Sequence, residues 1–184
     1  MKTVVRSPQK YSRTNLEGHD YRVFLAGTID NGSVNPWAER IVSGMDVGDI
    51  DVQFLDPRRT DWDTSMECTR DNPEFHEQVD WELNGIKSAN IVVFNFLPGS
   101  MSPVTMMELG YACATKHFRC VYVCCPQGFW CKGNVDIICE RSLIKVFETE
   151  EELITAVANR IKFLKGNVVT IGRTRFGESG MIDG

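Results

Sequence analysis

Short apolar runs alternate along the chain with stretches in which apolar residues recur every three or four positions. The first pattern predicts buried strands and the second amphipathic helices. Five runs read as strands, at 22–26, 52–55, 90–96, 119–125 and 143–147. Between them, 36–45 reads as a helix with Asn35 as N-cap and Pro36 at the first helical position, where a missing N–H is harmless. Asn72 and Pro73 repeat that device, and the helix they open runs to about Ser88 with Phe75, Val79, Leu83 and Ile86 as its apolar stripe. A third helix covers 103–116, with Ser102 as its cap. A last one covers 150–164, with Leu153, Val157, Ile161 and Leu164 on one face and acidic residues at its positive end.

Strands separated by helices predict a parallel sheet with helices on both faces. The expected fold is α/β, a flavodoxin-like doubly wound sheet of five strands in the order 2-1-3-4-5, with ligands taken at the carboxyl ends of the strands. Residues 1–20 lack periodicity and read as a loose arm. Residues 21–165 read as one domain, and 166–184, with five glycines, as a tail.

Composition narrows the function. Twenty Lys and Arg face 25 Asp and Glu, a net charge of −5, so the chain lacks the basic field that holds a nucleic-acid backbone. No apolar stretch approaches the ~20 residues that span a bilayer, and the polar, basic N-terminus has no signal core, so a cytoplasmic protein is expected. Seven cysteines, mostly inside apolar runs, suit buried thiols in a reducing compartment. Cys124, Cys125, Cys131 and Cys139 contain no CxxC pair and no neighbouring His, so no metal is expected. The loop after the first run, from Gly27 and Thr28, lets backbone approach a ligand but is not GxGxxG. No GxSxG occurs, and none of the three His has an evident Ser or Cys partner, which disfavours a nucleophilic triad.

Two features carry candidate chemistry. The loop after the second run places Arg58, Arg59, Asp61 and Trp62 at one rim, where guanidinium forks and an indole suit a flat polar ligand. The third helix carries Glu108 between Met107 and Leu109, a setting that is costly for a carboxylate unless it is paired. On the preceding helix Gln78 and Glu82 share a face. A carboxylate pair is what displacement at an anomeric carbon requires, one as nucleophile and one for the proton.

Five segments, in order, resemble the nucleoside 2-deoxyribosyltransferases and their relatives: Phe24-Leu25-Ala26-Gly27-Thr28-Ile29, Asp56-Pro57-Arg58-Arg59, Gln78-Val79-Asp80-Trp81-Glu82-Leu83-Asn84-Gly85-Ile86, Met107-Glu108-Leu109-Gly110-Tyr111-Ala112 and Lys132-Gly133-Asn134-Val135. The resemblance implies transfer of a 2-deoxyribosyl group between nucleobases by retaining double displacement, with no cofactor. It makes Glu108 the nucleophile that forms a covalent sugar ester, and Glu82, where the family usually has Asp, the orienting or proton-handling group. Ser102, six positions before Glu108, falls where relatives carry an Asp or a small hydroxyl residue against the base; Asp61 and Asp80 are substitutes for that acid. Asn134 resembles an asparagine that reaches a neighbouring subunit's sugar 5′-hydroxyl, implying a homo-oligomer with shared sites. Phe24 stands near the place of a tyrosine that bonds the nucleophile, leaving Thr28 or Tyr111 as donors. The partners implied are a nucleoside and a free nucleobase. Competing expectations are an N-glycosidic hydrolase of 2′-deoxynucleosides or their 5′-monophosphates, and a non-catalytic nucleotide-binding module.

Overall fold

The computed structural model describes residues 1–28, 35–59 and 65–174. Within them the strands are β1 (Lys2–Arg6), β2 (Tyr21–Gly27), β3 (Val52–Asp56), β4 (Ile91–Asn95), β5 (Val121–Cys124) and β6 (Val146–Phe147). The helices are α1 (Trp37–Gly44), α2 (Pro73–Ser88), α3 (Pro103–Thr115), α4 (Lys132–Arg141) and α5 (Glu150–Thr174). All strand pairs are parallel, in the order β1-β3-β2-β4-β5-β6. The doubly wound α/β sheet is therefore present, and its last five strands keep the expected relative order.

The sheet has six strands rather than five. Lys2–Arg6, expected within a loose arm, pairs in register with β3 from Lys2↔Val52 to Arg6↔Asp56. Its weak local pattern concealed it, because an edge strand needs only one buried face and its order comes from the partner's backbone donors and acceptors. Two further departures concern helices. α4 escaped the periodicity because its apolar residues do not share one face, Val135 and Cys139 being buried while Ile137 and Ile138 are exposed, and α5 continues to Thr174 instead of giving way to a tail at 166. Among the described residues no helix is long and apolar enough to cross a membrane.

Alternation along the central strands divides the core. Val23, Leu25, Val52, Phe54, Ile91 and Val93 point to one face, where Trp37 and Ile41 of α1 and Leu153, Val157 and Ile161 of α5 cover them. Phe24, Ala26, Leu55, Val92, Phe94, Val121 and Val123 point to the other, covered by Trp81 and Ile86 of α2, Leu109 and Ala112 of α3 and Val135 and Cys139 of α4. The central strands β2, β3 and β4 are buried throughout, as a parallel sheet with both faces covered requires.

α2 begins as its sequence predicts: the Asn72 side chain accepts from the N–H groups of Glu74 and Phe75, and Pro73 opens the helix. Its buried face is different from the expected stripe. Gln78, Trp81, Gly85 and Ile86 turn inward, whereas Leu83 stands 37% exposed. Gly85 is the reason the helix approaches the sheet so closely, since a Cβ there would lie 2.5 Å from the Phe24 ring. Phe24 is fully buried and has nowhere to go. Gly85→Ala is therefore expected to lower the melting temperature, costing on the order of 1–3 kcal/mol by overpacking. A rise, as helix propensity alone would give, would show that the Phe24 ring yields.

Candidate active site

Strand order reverses around β2 and β4, and their carboxyl ends form the crevice typical of open α/β sheets. The Thr28 hydroxyl stitches this crevice. It accepts from the Leu97 N–H at 3.1 Å and lies 3.0 Å from Ser100 Oγ and 2.7 Å from Ser102 Oγ, which are themselves 2.9 Å apart. Ser102 does not cap α3 through its side chain, contrary to expectation; with φ at 44° it adopts the left-handed region, and its hydroxyl serves the Thr28 cluster instead. Thr105, in the first turn of α3, donates to the Gly27 carbonyl at 2.9 Å. Gly27 itself admits no side chain, because a Cβ would meet the Asn95 carbonyl and the Trp37 ring at 2.6 Å. The close approach it permits is that of the protein's own Trp37, whose indole donates to the Thr28 carbonyl.

Glu108 projects from the second turn of α3 and is only 8% exposed. Among the described residues its carboxylate accepts no hydrogen bond, so neither Thr28 nor Tyr111 supplies the missing tyrosine's donor. Phe24, at that tyrosine's place, belongs wholly to the core. Burial, with the nearby charge of Glu82 adding to it, pushes the Glu108 carboxyl up to about 8. Burial raises Glu82 as well, but the Gln78 amide donates to Glu82 Oε1 at 2.7 Å and draws it back toward the charged form. The two glutamates thus titrate as a pair in which Glu82 ionises first and Glu108 keeps the proton near neutrality. The sequence placed Gln78 and Glu82 on one face; it did not reveal that Gln78 also binds the Pro57 carbonyl, or that Ser7 binds Gln78.

The rim residues have more structural partners than the sequence implied. Arg58 forks onto Asp56 and reaches Glu39 at 2.8 Å, which holds it protonated well above its ordinary range, and it lies over the ring of Trp37. Arg59 pairs with Glu74 at 2.7 Å. Asp61 and Trp62 lie outside the described residues. Asn134 sits exposed in the first turn of α4, accepting from the Cys131 thiol.

In open α/β domains small ligands bind at the switch-point crevice, and Glu82 and Glu108 stand on α2 and α3. A family model described as nucleoside 2-deoxyribosyltransferase like matches residues 20–129, and the chain belongs to that family. Comparison with curated proteins finds no similar sequence.

The raised Glu108 pKa has a thermodynamic consequence. Between the ordinary carboxylate value of 4.5 and about 8, the unfolded chain releases a proton that the folded chain retains. The stability associated with this proton is full below 4.5 and is lost as pH rises toward 8, at up to roughly 1.4 kcal/mol per pH unit. Glu108→Gln should therefore melt higher than the parent by a margin that widens across this window and levels off above it. Thermal denaturation at several pH values checks this, and a margin independent of pH would contradict it.

Proposed function

We propose that the protein transfers 2-deoxyribosyl groups between nucleobases by retaining double displacement through a covalent ester on Glu108. The observation that carries this reading is the buried Glu108, with the half-buried Glu82 close enough to oppose its ionisation, in a member of the nucleoside 2-deoxyribosyltransferase-like family.

In the first half-reaction a Glu108 carboxylate oxygen bonds to C1′ as the C1′–N bond breaks. The bonding pair goes to the departing base, and the proton held by the carboxyl pair follows it there. Glu82 stays ionised and stabilises the oxocarbenium-like state. A second base then attacks C1′ from the opposite face, releases the Glu108 carboxylate, and returns its own N–H proton to the pair. Protons and electrons close within this cycle, so no cofactor enters it. Thr28 and Ser102 line the approach to the pair; Arg58 stiffens the loop that leads to Asp61 and Trp62, which we assign to the base.

Active sites shared between subunits complete the proposal. Asn134 stands exposed on α4, with Ile137 and Ile138 exposed one turn on, and Met107 of α3 is 72% exposed. An apolar surface of this kind favours a homo-oligomer, across which Asn134 reaches a neighbour's sugar. Seven unpaired thiols suit the reducing cytoplasm.

Incubation with a 2′-deoxynucleoside, with and without a free acceptor base, tests the reading by chromatography. A new nucleoside is expected. Free sugar alone would mean a hydrolase, and bound but unchanged substrate a non-catalytic module. Glu108→Ala should lose exchange by roughly three orders of magnitude or more while its circular dichroism is unchanged. Mixing and reassembling Glu108→Ala with Asn134→Ala subunits should restore part of the activity; none is recovered if each site is built from one chain.

A further inference from the structure

Gln78 is a polar residue on the buried face of α2, and every polar atom of its amide is engaged. Its Nε2 donates to Glu82 Oε1 at 2.7 Å and to the Pro57 carbonyl at 2.9 Å. Its Oε1 accepts from the Ser7 hydroxyl at 2.5 Å. An amide can be turned end for end, so something must decide which end faces Glu82. Turned over, Gln78 would set its oxygen against both the Pro57 carbonyl and the Glu82 carboxylate. Those two acceptors set the orientation, and the Ser7 hydroxyl, bonded to the far end of the amide, holds the side chain in place; Ser7 is itself 5% exposed and tied to β3 through its N–H to the Asp56 carbonyl.

Ser7 belongs to a segment that precedes the region matched by the family model, which begins at residue 20. This segment is anchored along α2. Trp81 Nε1 donates to the Gln9 carbonyl, and the Tyr11 hydroxyl donates to the Trp81 carbonyl, both at 2.9 Å. The Tyr11 and Trp81 rings meet edge to face at 5.2 Å. Arg22, fully buried, donates to the carbonyls of Ser12 and Asn15.

We propose that Ser7, alone of this N-terminal segment, takes part in positioning the catalytic pair: its hydroxyl braces the Gln78 amide, and Gln78 holds the Glu82 carboxylate in place. Ser7 and Gln78 are positioning residues that act through Glu82. The catalytic consequence rests on the exchange reading above; the positioning itself does not. Among the described residues Glu108, from α3, is the titratable group that faces Glu82, and it keeps its proton near neutrality. The residue after β1 brings the Ser7 hydroxyl, and Arg6 before it is committed to Asp56 and Glu39. The loop after β3 brings the Pro57 carbonyl, with Arg59 paired to Glu74. Because the hydrogen bond from Gln78 lowers the Glu82 pKa, losing it raises that pKa. The acid limb of the pH–rate profile, where Glu82 takes up a second proton for the pair, then moves to higher pH.

Ser7→Ala, Gln78→Met and Tyr11→Phe separate positioning from simple anchoring. Tyr11→Phe removes a bond to the same helix without touching Gln78. Titration of the Glu82 carboxyl carbon by NMR in the full chain should move upward in Ser7→Ala and more so in Gln78→Met, and stay in place in Tyr11→Phe. The ratio of kcat at about pH 5.5 to kcat at about pH 7.5 should fall several-fold in the first two variants only. An unmoved Glu82 titration, or equal movement in Tyr11→Phe, overturns the positioning. A moved titration in a protein whose parent turns over no deoxynucleoside overturns the catalytic reading and leaves the positioning standing.

Discussion

A carboxyl group largely removed from water, and accepting no hydrogen bond among the described residues, is the constraint around which this site is arranged. Glu108 is carried by α3 and only 8% exposed, with a second carboxylate close enough to oppose its ionisation. Desolvation of this kind destabilises the fold unless the group stays protonated. Near neutrality Glu108 therefore keeps its proton, and the proposed reaction needs one proton for the departing nucleobase. The strain in the folded protein and the chemistry proposed for it come from the same arrangement.

The rest of the structure fixes that arrangement from three directions. Thr105 ties the start of α3 to the Gly27 carbonyl, and the Thr28 hydroxyl ties β2 to the Leu97–Ser102 loop. On the other side, Gly85 lets α2 settle onto Phe24, which sets the height of Glu82 above the sheet. From the edge, Asp56, Arg58, Arg6 and Glu39 form a closed ionic network that locks the end of β3. Asp56 is almost wholly buried, so its two guanidinium partners are needed where it stands. Gln78 joins these parts, touching β3's loop, the N-terminal segment and Glu82 at once.

Much of this was legible in the sequence. The buried strands are long apolar runs, so 22–26, 52–55 and 90–96 announced the centre of the sheet, and Asn72-Pro73 announced the start of α2. Glu108 stood out because a carboxylate between Met107 and Leu109 contradicts its surroundings. What escaped depended on contacts distant in sequence. β1 takes its order from β3, 50 residues away. α2 turned its Gln78–Trp81 face inward because Ser7, Gln9 and Tyr11 wait there with hydrogen-bond partners, which no periodicity within the helix encodes. Arg58 read as a free ligand-binding fork, whereas Glu39, 19 residues earlier, had already claimed it.

The claim on which all of this turns is that Glu108 becomes covalently bound to the sugar. Peptide mass spectrometry of protein quenched during turnover of a 2′-deoxynucleoside, with no acceptor base present, tests it directly. The account predicts a deoxyribosyl adduct on the peptide that contains Glu108, discharged when a free base is added. Turnover with that peptide unmodified, or with the adduct on another residue, would contradict it.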